Sequence, residues 1–230
     1  MNILDFLFPK KCVGCNKVGN YFCSICISNI KQTDLVCPFC ERPSFGGVVH
    51  PVCKRRYGLD GLWSLGIYEK PLKTAISKLK YKWVSELAET LINITIEYWA
   101  RYQPIMLDQI KKNRGEDWIV VPVPLHWQRQ NWRGFNQASL LASILARKLG
   151  LKNVEALKRI SPTHPQVGQE AYKRRQNVKG AFALDSRFQS PATNILLIDD
   201  VWTTGSTLKE CCYVIKRGDA KQVWALTIAS

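Results

Sequence analysis

The sequence predicts an α/β fold, a mainly parallel sheet with helices on both faces, preceded by a small cysteine-rich region. Three observations predict it. Strand-length apolar runs, Ile195 to Ile198 and Trp118 to Val123, lack the polar alternation of a half-exposed sheet. Segments between such runs carry helical spacing. Seven of the nine cysteines fall before residue 54, so the N-terminal part is built differently from the rest.

The length of 230 residues and a hydrophobic share of 46% suffice for one α/β domain of ordinary size plus an appendage. The expected division is residues 1–60 and 61–230, with the turn-rich Tyr57, Gly58, Leu59, Asp60 and Gly61 at the junction. Nothing approaches twenty uncharged apolar residues, and MNILDFLFPKK is too short and wrongly flanked for a signal peptide, so a cytoplasmic location is expected.

The N-terminal cysteines form Cys12-x-x-Cys15, Cys23-x-x-Cys26 and Cys37-x-x-Cys40, followed by His50-x-x-Cys53. Two-residue spacing lets a tight turn present both side chains to one tetrahedral ion, and two such knuckles close a structural site. Two sequential zinc sites are expected, Cys12, Cys15, Cys23 and Cys26 in one and Cys37, Cys40, His50 and Cys53 in the other. Spacing alone leaves an interleaved arrangement open. Disulfides fit a cytoplasmic protein poorly, and a segment this poor in apolar residues needs metal to supply folding energy. An iron–sulfur cluster and a non-ligating His50 are the competing readings. Saturated sites offer no open position, so these metals are structural. Cys211 and Cys212 lie apart, as small apolar filler.

Beyond the junction, WSLGIY (63–68) alternates as a strand does. Pro71 starts a short basic helix, and Val84 to Tyr102 carries helical spacing through Leu87, Leu91, Ile94 and Tyr98. Trp118 to Val123 is a strand ending in Pro122 and Pro124. A basic loop leads into a helix from about Phe135 to Leu149, and Gln222 to Ala229 is a final strand.

The segment ILLIDDVWTTGST (195–207) is the most informative. Its strand runs into Asp199 and Asp200, then Val201, and then the loop of Thr203, Thr204, Gly205, Ser206 and Thr207, which opens a helix from about Leu208. Ligands on open α/β sheets gather where strands end. The hydroxyls, unobstructed N–H groups and helix dipole favour a phosphate. A phosphate would repel the two acids, so they suit a sugar's vicinal hydroxyls, directly or beside Mg2+. The ligand these residues describe has both a 5′-phosphate and a ribose. A plain strand-turn-helix corner with a capping hydroxyl is the bland alternative. No G-x-x-x-x-G-K-[ST] occurs, which excludes a P-loop nucleotidase.

This segment resembles the phosphoribosyl pyrophosphate (PRPP) signature of type I phosphoribosyltransferases, which implies a PRPP site with Asp199 and Asp200 as its catalytic acids. In that fold a second strand end, here Pro122 and Val123, faces the pyrophosphate. Arg129 and Arg133 flank a turn into Gly134, and their paired donors suit pyrophosphate or nucleic-acid phosphates.

The run PVPLHWQRQNWRGFNQ (122–137) is similar to a hallmark of the ComF/GntX family of competence-associated, phosphoribosyltransferase-like proteins. The cysteine knuckles, LKYK (79–82) and RRQNVKGAF (174–182) agree with it. The resemblance implies a type I phosphoribosyltransferase fold behind a double zinc ribbon, and a role in handling DNA taken up during natural transformation. It further implies that Arg174, Arg175 and Asn177, with Gln166 near the start, belong to a segment covering PRPP; a solvated helix face is the alternative. His50 stands where the family commonly has cysteine, and Trp202 where the loop residue is more often small or aliphatic.

The net charge of +15 attracts polyanions, nucleic acid or PRPP itself. Lys80 serves PRPP and Lys82 nucleic acid in this reading. Trp127, Trp132 and Arg133 combine base stacking with backbone neutralisation. Three functions compete: a PRPP-binding, single-stranded-DNA-handling protein of competence; an active phosphoribosyltransferase for a base or amine; and a PRPP-responsive adaptor whose ribbons dock a competence helicase or other DNA-processing protein.

Overall fold

The computed structural model describes residues 9–79, 85–102, 107–108, 110, 118–125, 134–161, 178–188 and 193–230. Five strands form one sheet: β1 (Gly61–Gly66), β2 (Trp118–Pro122), β3 (Lys152–Asn153), β6 (Asn194–Val201) and β7 (Gln222–Ala229). Their order is β1-β7-β6-β2-β3, and every neighbouring pair is parallel. Strands β4 (Leu157–Arg159) and β5 (Phe182–Leu184) make a separate antiparallel pair.

Parallel strands need crossovers, and the helices supply them. Helices α2 (Leu72–Lys78) and α3 (Ser85–Tyr102) lie between β1 and β2, α4 (Gln137–Leu149) between β2 and β3, and α5 (Ser206–Arg217) between β6 and β7. The unbroken apolar runs follow from coverage on both faces. On β6, Leu196 and Ile198 join the core with α3 and α4, while Ile195 and Leu197 join the opposite core with Leu208, Cys211 and Ile215 of α5. β7 divides likewise, Trp224, Leu226 and Ile228 to one side and Val223 and Ala225 to the other.

Strand β1 begins two residues earlier than its alternation suggests, and all six of its residues are buried. Its polar Ser64 does not face water. Its Oγ lies 2.7 Å from Thr227 Oγ1 on β7, a buried pair that satisfies both hydroxyls. Strand β2 is interior rather than an edge, and Pro122 sits at its C-terminal end, opposite Ile198. Asn136 caps α4 by accepting from Ala138 N at 3.0 Å, and its Nδ2 donates to Val123 O at 2.9 Å. One side chain thereby ties the helix start to the strand end.

The cysteine-rich region packs onto this sheet. Val13, Phe22, Cys26 and Ile30 share a core with Trp63, Leu65 and Leu72. Ile67 N donates to Lys31 O at 2.9 Å, and at Gly66 a Cβ would lie 2.6 Å from Lys31 O, so only glycine permits this approach. Both buried cysteines of α5, Cys211 and Cys212, serve as apolar filler, and burial pushes both thiols far up.

Candidate functional site

The two metal-type clusters are built by the same turn. After Cys12, Asn16 adopts φ 63° and donates its N–H to Cys12 O at 2.9 Å; after Cys37, Glu41 adopts φ 60° and donates to Cys37 O at 2.9 Å. The left-handed residue reverses the chain and leaves both cysteines of each knuckle on its inner side. Cys12, Cys15, Cys23 and Cys26 come together, as do Cys37, Cys40, His50 and Cys53, with the ligand atoms of each group within 4.8 Å of one another. The sequential grouping is the one the structure adopts. The short helix α1 (Ser24–Ser28) carries Cys26 into the first cluster.

Donor spacing tests the fit of a metal. A tetrahedral ion with metal–sulfur bonds of about 2.3 Å has sulfur–sulfur edges of about 3.8 Å. Cys12 and Cys15 both place Sγ 3.7 Å from Cys23 Sγ. In the second cluster, His50 Nδ1 lies 3.4 Å from Cys40 Sγ, close to the shorter sulfur–nitrogen edge. His50 Nε2 lies 3.1 Å from Pro43 O, a partner that fixes the ring and leaves Nδ1 for the ion. Both clusters could hold a metal ion.

Proton distribution makes the same point. Burial opposes ionisation of Cys12, yet the backbone N–H groups of Cys15, Cys23 and Gly14 outweigh it and bring the thiol down to about 6. Burial, then hydrogen bonding with Cys12 and its neighbours, pushes Cys26 up to about 12. In the second cluster Cys37 is brought down to about 7, backbone donors of Cys40 and His50 overcoming burial, and burial with Cys40 nearby pushes Cys53 up to about 11. Neither group of thiols tolerates full ionisation alone. A divalent cation would neutralise the added charge.

At the far end of β6, Asp199 and Asp200 are half-buried. Burial first, then the adjacent Asp200 charge, raises the Asp199 carboxyl well above its ordinary range, opposed by the Asp200 N–H and by Arg159. That N–H donates to Asp199 Oδ1 at 2.8 Å. Arg159, at the end of β4, is a basic neighbour that sequence reasoning missed, because nothing in its surroundings resembles a motif.

The loop then turns on Gly205, at φ 65°, and α5 begins at Ser206. A Cβ at Gly205 would fall well inside van der Waals contact with the Trp202 indole, which is buried beneath the loop. Glycine is therefore required twice, for its backbone angle and for this packing. Trp202 N donates to Ala229 O at 2.8 Å and anchors the loop to β7. Thr204 Oγ1 pairs with Ser206 Oγ at 2.7 Å, and Ser206 N–H makes a long 3.4 Å contact with Thr204 Oγ1. Among the described residues, none accepts from the N–H of Thr203, Thr204 or Gly205.

Pro122 and Val123 lie one strand away, level with the end of β6. Pro122 has no N–H, while Val123 donates its own to Ile198 O at 2.9 Å and accepts from Asn136 through its carbonyl. This strand end supports the site by packing and offers a ligand no backbone donor at these two positions. Lys80, Lys82, Trp127, Arg129, Trp132, Arg133, Gln166, Arg174, Arg175 and Asn177 lie outside the described residues.

Beside the loop opens a cleft of about 780 Å³ between the second knuckle and the outer face of α5. Phe39, Tyr57 and Tyr213 line it together with Arg55, Arg56 and Lys209. No sequence motif signals it: Phe39 sits inside a cysteine knuckle, Arg55 and Arg56 precede the junction, and Tyr57 reads as its first residue.

No family model matches the chain. It is 31% identical to Competence protein F of Haemophilus influenzae over 245 residues, covering the whole of both chains. It is 32% identical over 216 residues to the DNA utilization protein YhgH of Escherichia coli K12, covering 89% of this chain and 88% of that one. It is 28% identical over 224 residues to Competence protein ComFC of Bacillus subtilis, covering 90% and 82%. With a relative above 30% identity matched from end to end, and the cysteine clusters and parallel sheet in place, the chain belongs to the ComF family.

Proposed function

We propose that the protein binds PRPP at the end of β6 and handles single-stranded DNA in competence or DNA utilization, with structural zinc in both cysteine clusters. The observation that carries the PRPP half is one juxtaposition. Asp199 and Asp200 end a buried parallel strand, and the next residues form a glycine-turned loop at a helix N-terminus, with N–H groups that no described residue occupies. The 5′-phosphate would lie against Thr203 to Thr207 and the ribose hydroxyls against the acids. Mg2+ would accompany the ligand and oppose the burial and the Asp200 charge that raise the Asp199 carboxyl. The residues given to pyrophosphate, Lys80, Arg129 and Arg133, and to the covering segment, Arg174 and Arg175, complete the site in this reading.

The DNA half is supported by the net charge of +15 and by the names of the relatives, two of them competence proteins and one a DNA utilization protein. Cys12, Cys15, Cys23 and Cys26, and Cys37, Cys40, His50 and Cys53, suit zinc because soft sulfur and imidazole donors at tetrahedral spacing favour it. Thermal unfolding with and without PRPP and Mg2+ tests the central site. The intact protein should be stabilised by PRPP, and Asp199→Ala with Asp200→Ala should abolish that shift while leaving the zinc content unchanged. A shift that survives the double change rejects the ribose assignment.

A further inference from the structure

The cleft beside the loop is not placed to receive a phosphoribosyl acceptor. It touches the loop through Thr204 and Ser206, at the phosphate end, and neither Asp199 nor Asp200 lines it. An acceptor must reach the opposite, anomeric end of the sugar. The cleft instead runs outward from the phosphate loop between two walls of different origin.

One wall is the second knuckle. Phe39 is 52% exposed between Cys37 and Cys40, and the Arg55 guanidinium lies 4.8 Å from its ring centroid. Arg55 is itself fixed by donating to the carbonyls of Val52 and Lys54 at 3.1 and 2.9 Å. Tyr57 follows, with Arg56 5.2 Å from its ring. The other wall is the solvent face of α5. Tyr213 is 41% exposed, meets Tyr57 edge-on at 5.5 Å and has Arg217 5.8 Å from its ring. Lys209, nearer the loop, spans the walls through Glu41 at 3.4 Å.

Aromatic faces interleaved with guanidinium groups suit bases joined by a charged backbone. Of the described charged residues lining the cleft, Arg55, Arg56, Lys179 and Lys209 are basic and Glu210 alone is acidic, and Glu210 Oε1 already accepts from Gly180 N at 2.8 Å. Glu41 answers Lys209, and a neutral apolar partner would leave Arg55, Arg56 and Lys179 without a counter-charge among the described residues. We infer that this cleft, between the second cysteine knuckle and α5, is a binding track for single-stranded nucleic acid, with bases stacking on Phe39, Tyr57 and Tyr213 and the backbone running past Arg55, Arg56, Lys179 and Lys209. The inference rests on the DNA-handling reading above and builds its site from residues other than Trp127 and Trp132.

The test is fluorescence anisotropy of a labelled oligothymidylate of about 16 nucleotides, titrated with the full-length, metal-loaded protein. Tyr213→Leu and Phe39→Leu keep apolar bulk but remove the aromatic faces, and each should weaken binding by about 5-fold or more. Arg56→Gln with Lys179→Gln should flatten the dependence of affinity on salt. Metal content, melting temperature and the PRPP shift should stay as in the parent, showing that knuckle and loop are intact. Tyr213 sits on an exposed helix face, so its variant remains informative if Phe39→Leu fails to fold. Strong binding by the parent that Tyr213→Leu and the charge variant leave within about twofold overturns the cleft and spares the DNA reading. No binding by the parent at low salt overturns both. Equal loss of duplex and single-strand binding in the variants overturns the single-strand preference.

Discussion

Replacing Gly205 by alanine tests the loop where its geometry is most constrained. The residue holds φ 65°, and a Cβ there would overlap the Trp202 indole. The left-handed angle costs a non-glycine residue about 1–2 kcal/mol. Pushing a buried indole aside adds about 1–3 kcal/mol, because Trp202 is packed beneath the loop and has little room to yield. The sum is about 2–5 kcal/mol, a fall in melting temperature of about 4–20 °C for a chain of this size. Calorimetry or circular dichroism measures it. The Trp202→Leu background separates the two parts. There the overlap is relieved, and Gly205→Ala should cost only the backbone share of about 1–2 kcal/mol. Equal costs in both backgrounds, or a cost below about 0.5 kcal/mol in the parent, would refute the reasoning about this turn.

Three further outcomes are expected. Asp199→Asn should raise stability at neutral and alkaline pH by about 0.5–2 kcal/mol. The folded carboxyl is raised above its ordinary value, so its contribution is fully present below that value, near 3.8, and lost as pH rises through the raised one; the gain from Asn should therefore vanish in acid, and the PRPP shift should vanish at every pH. Cys12→Ser with Cys23→Ser should release one metal, whereas Cys12→Ser with Cys37→Ser should release both, as mass spectrometry of the native protein would show; the reverse pattern would mean interleaved ligation. Asn136→Ala removes the cap of α4 and orphans the Val123 carbonyl, and should cost about 1–2 kcal/mol in denaturant unfolding.

What could be read from the chain followed from how local each signal is. The run from Ile195 to Thr207 encodes strand, acids, loop and helix in consecutive residues, and the structure keeps them in that order. The knuckles were equally plain as spacing, yet their pairing was not, because it depends on how residues 12–53 fold back rather than on any one turn. Strand β1 misled through Ser64, whose hydroxyl mimics an outward-facing position but answers Thr227 inside the sheet. The pair β4 and β5 has three residues per strand, too few for a period to register. The cleft was invisible for a different reason: Phe39, Tyr57 and Tyr213 meet only after the second knuckle settles against α5, and no sequence window spans them.

Coverage on both faces also explains why the site tolerates its own repulsion. Alternate residues of β6 are locked into opposite cores, so the strand end is held rigidly enough to keep Asp199 beside Asp200 despite their like charge. The sheet supplies the stability, and the strand end carries a repulsion that the Mg2+ of the proposed ligand would relieve.

A crystal structure with PRPP and Mg2+ puts the central claim to its most direct test. The account predicts the 5′-phosphate within hydrogen-bonding distance of the Thr203 to Thr207 backbone, with the ribose hydroxyls facing Asp199 and Asp200. A phosphate bound elsewhere, or a loop still closed by the Thr204 and Ser206 side chains at saturating ligand, would contradict it.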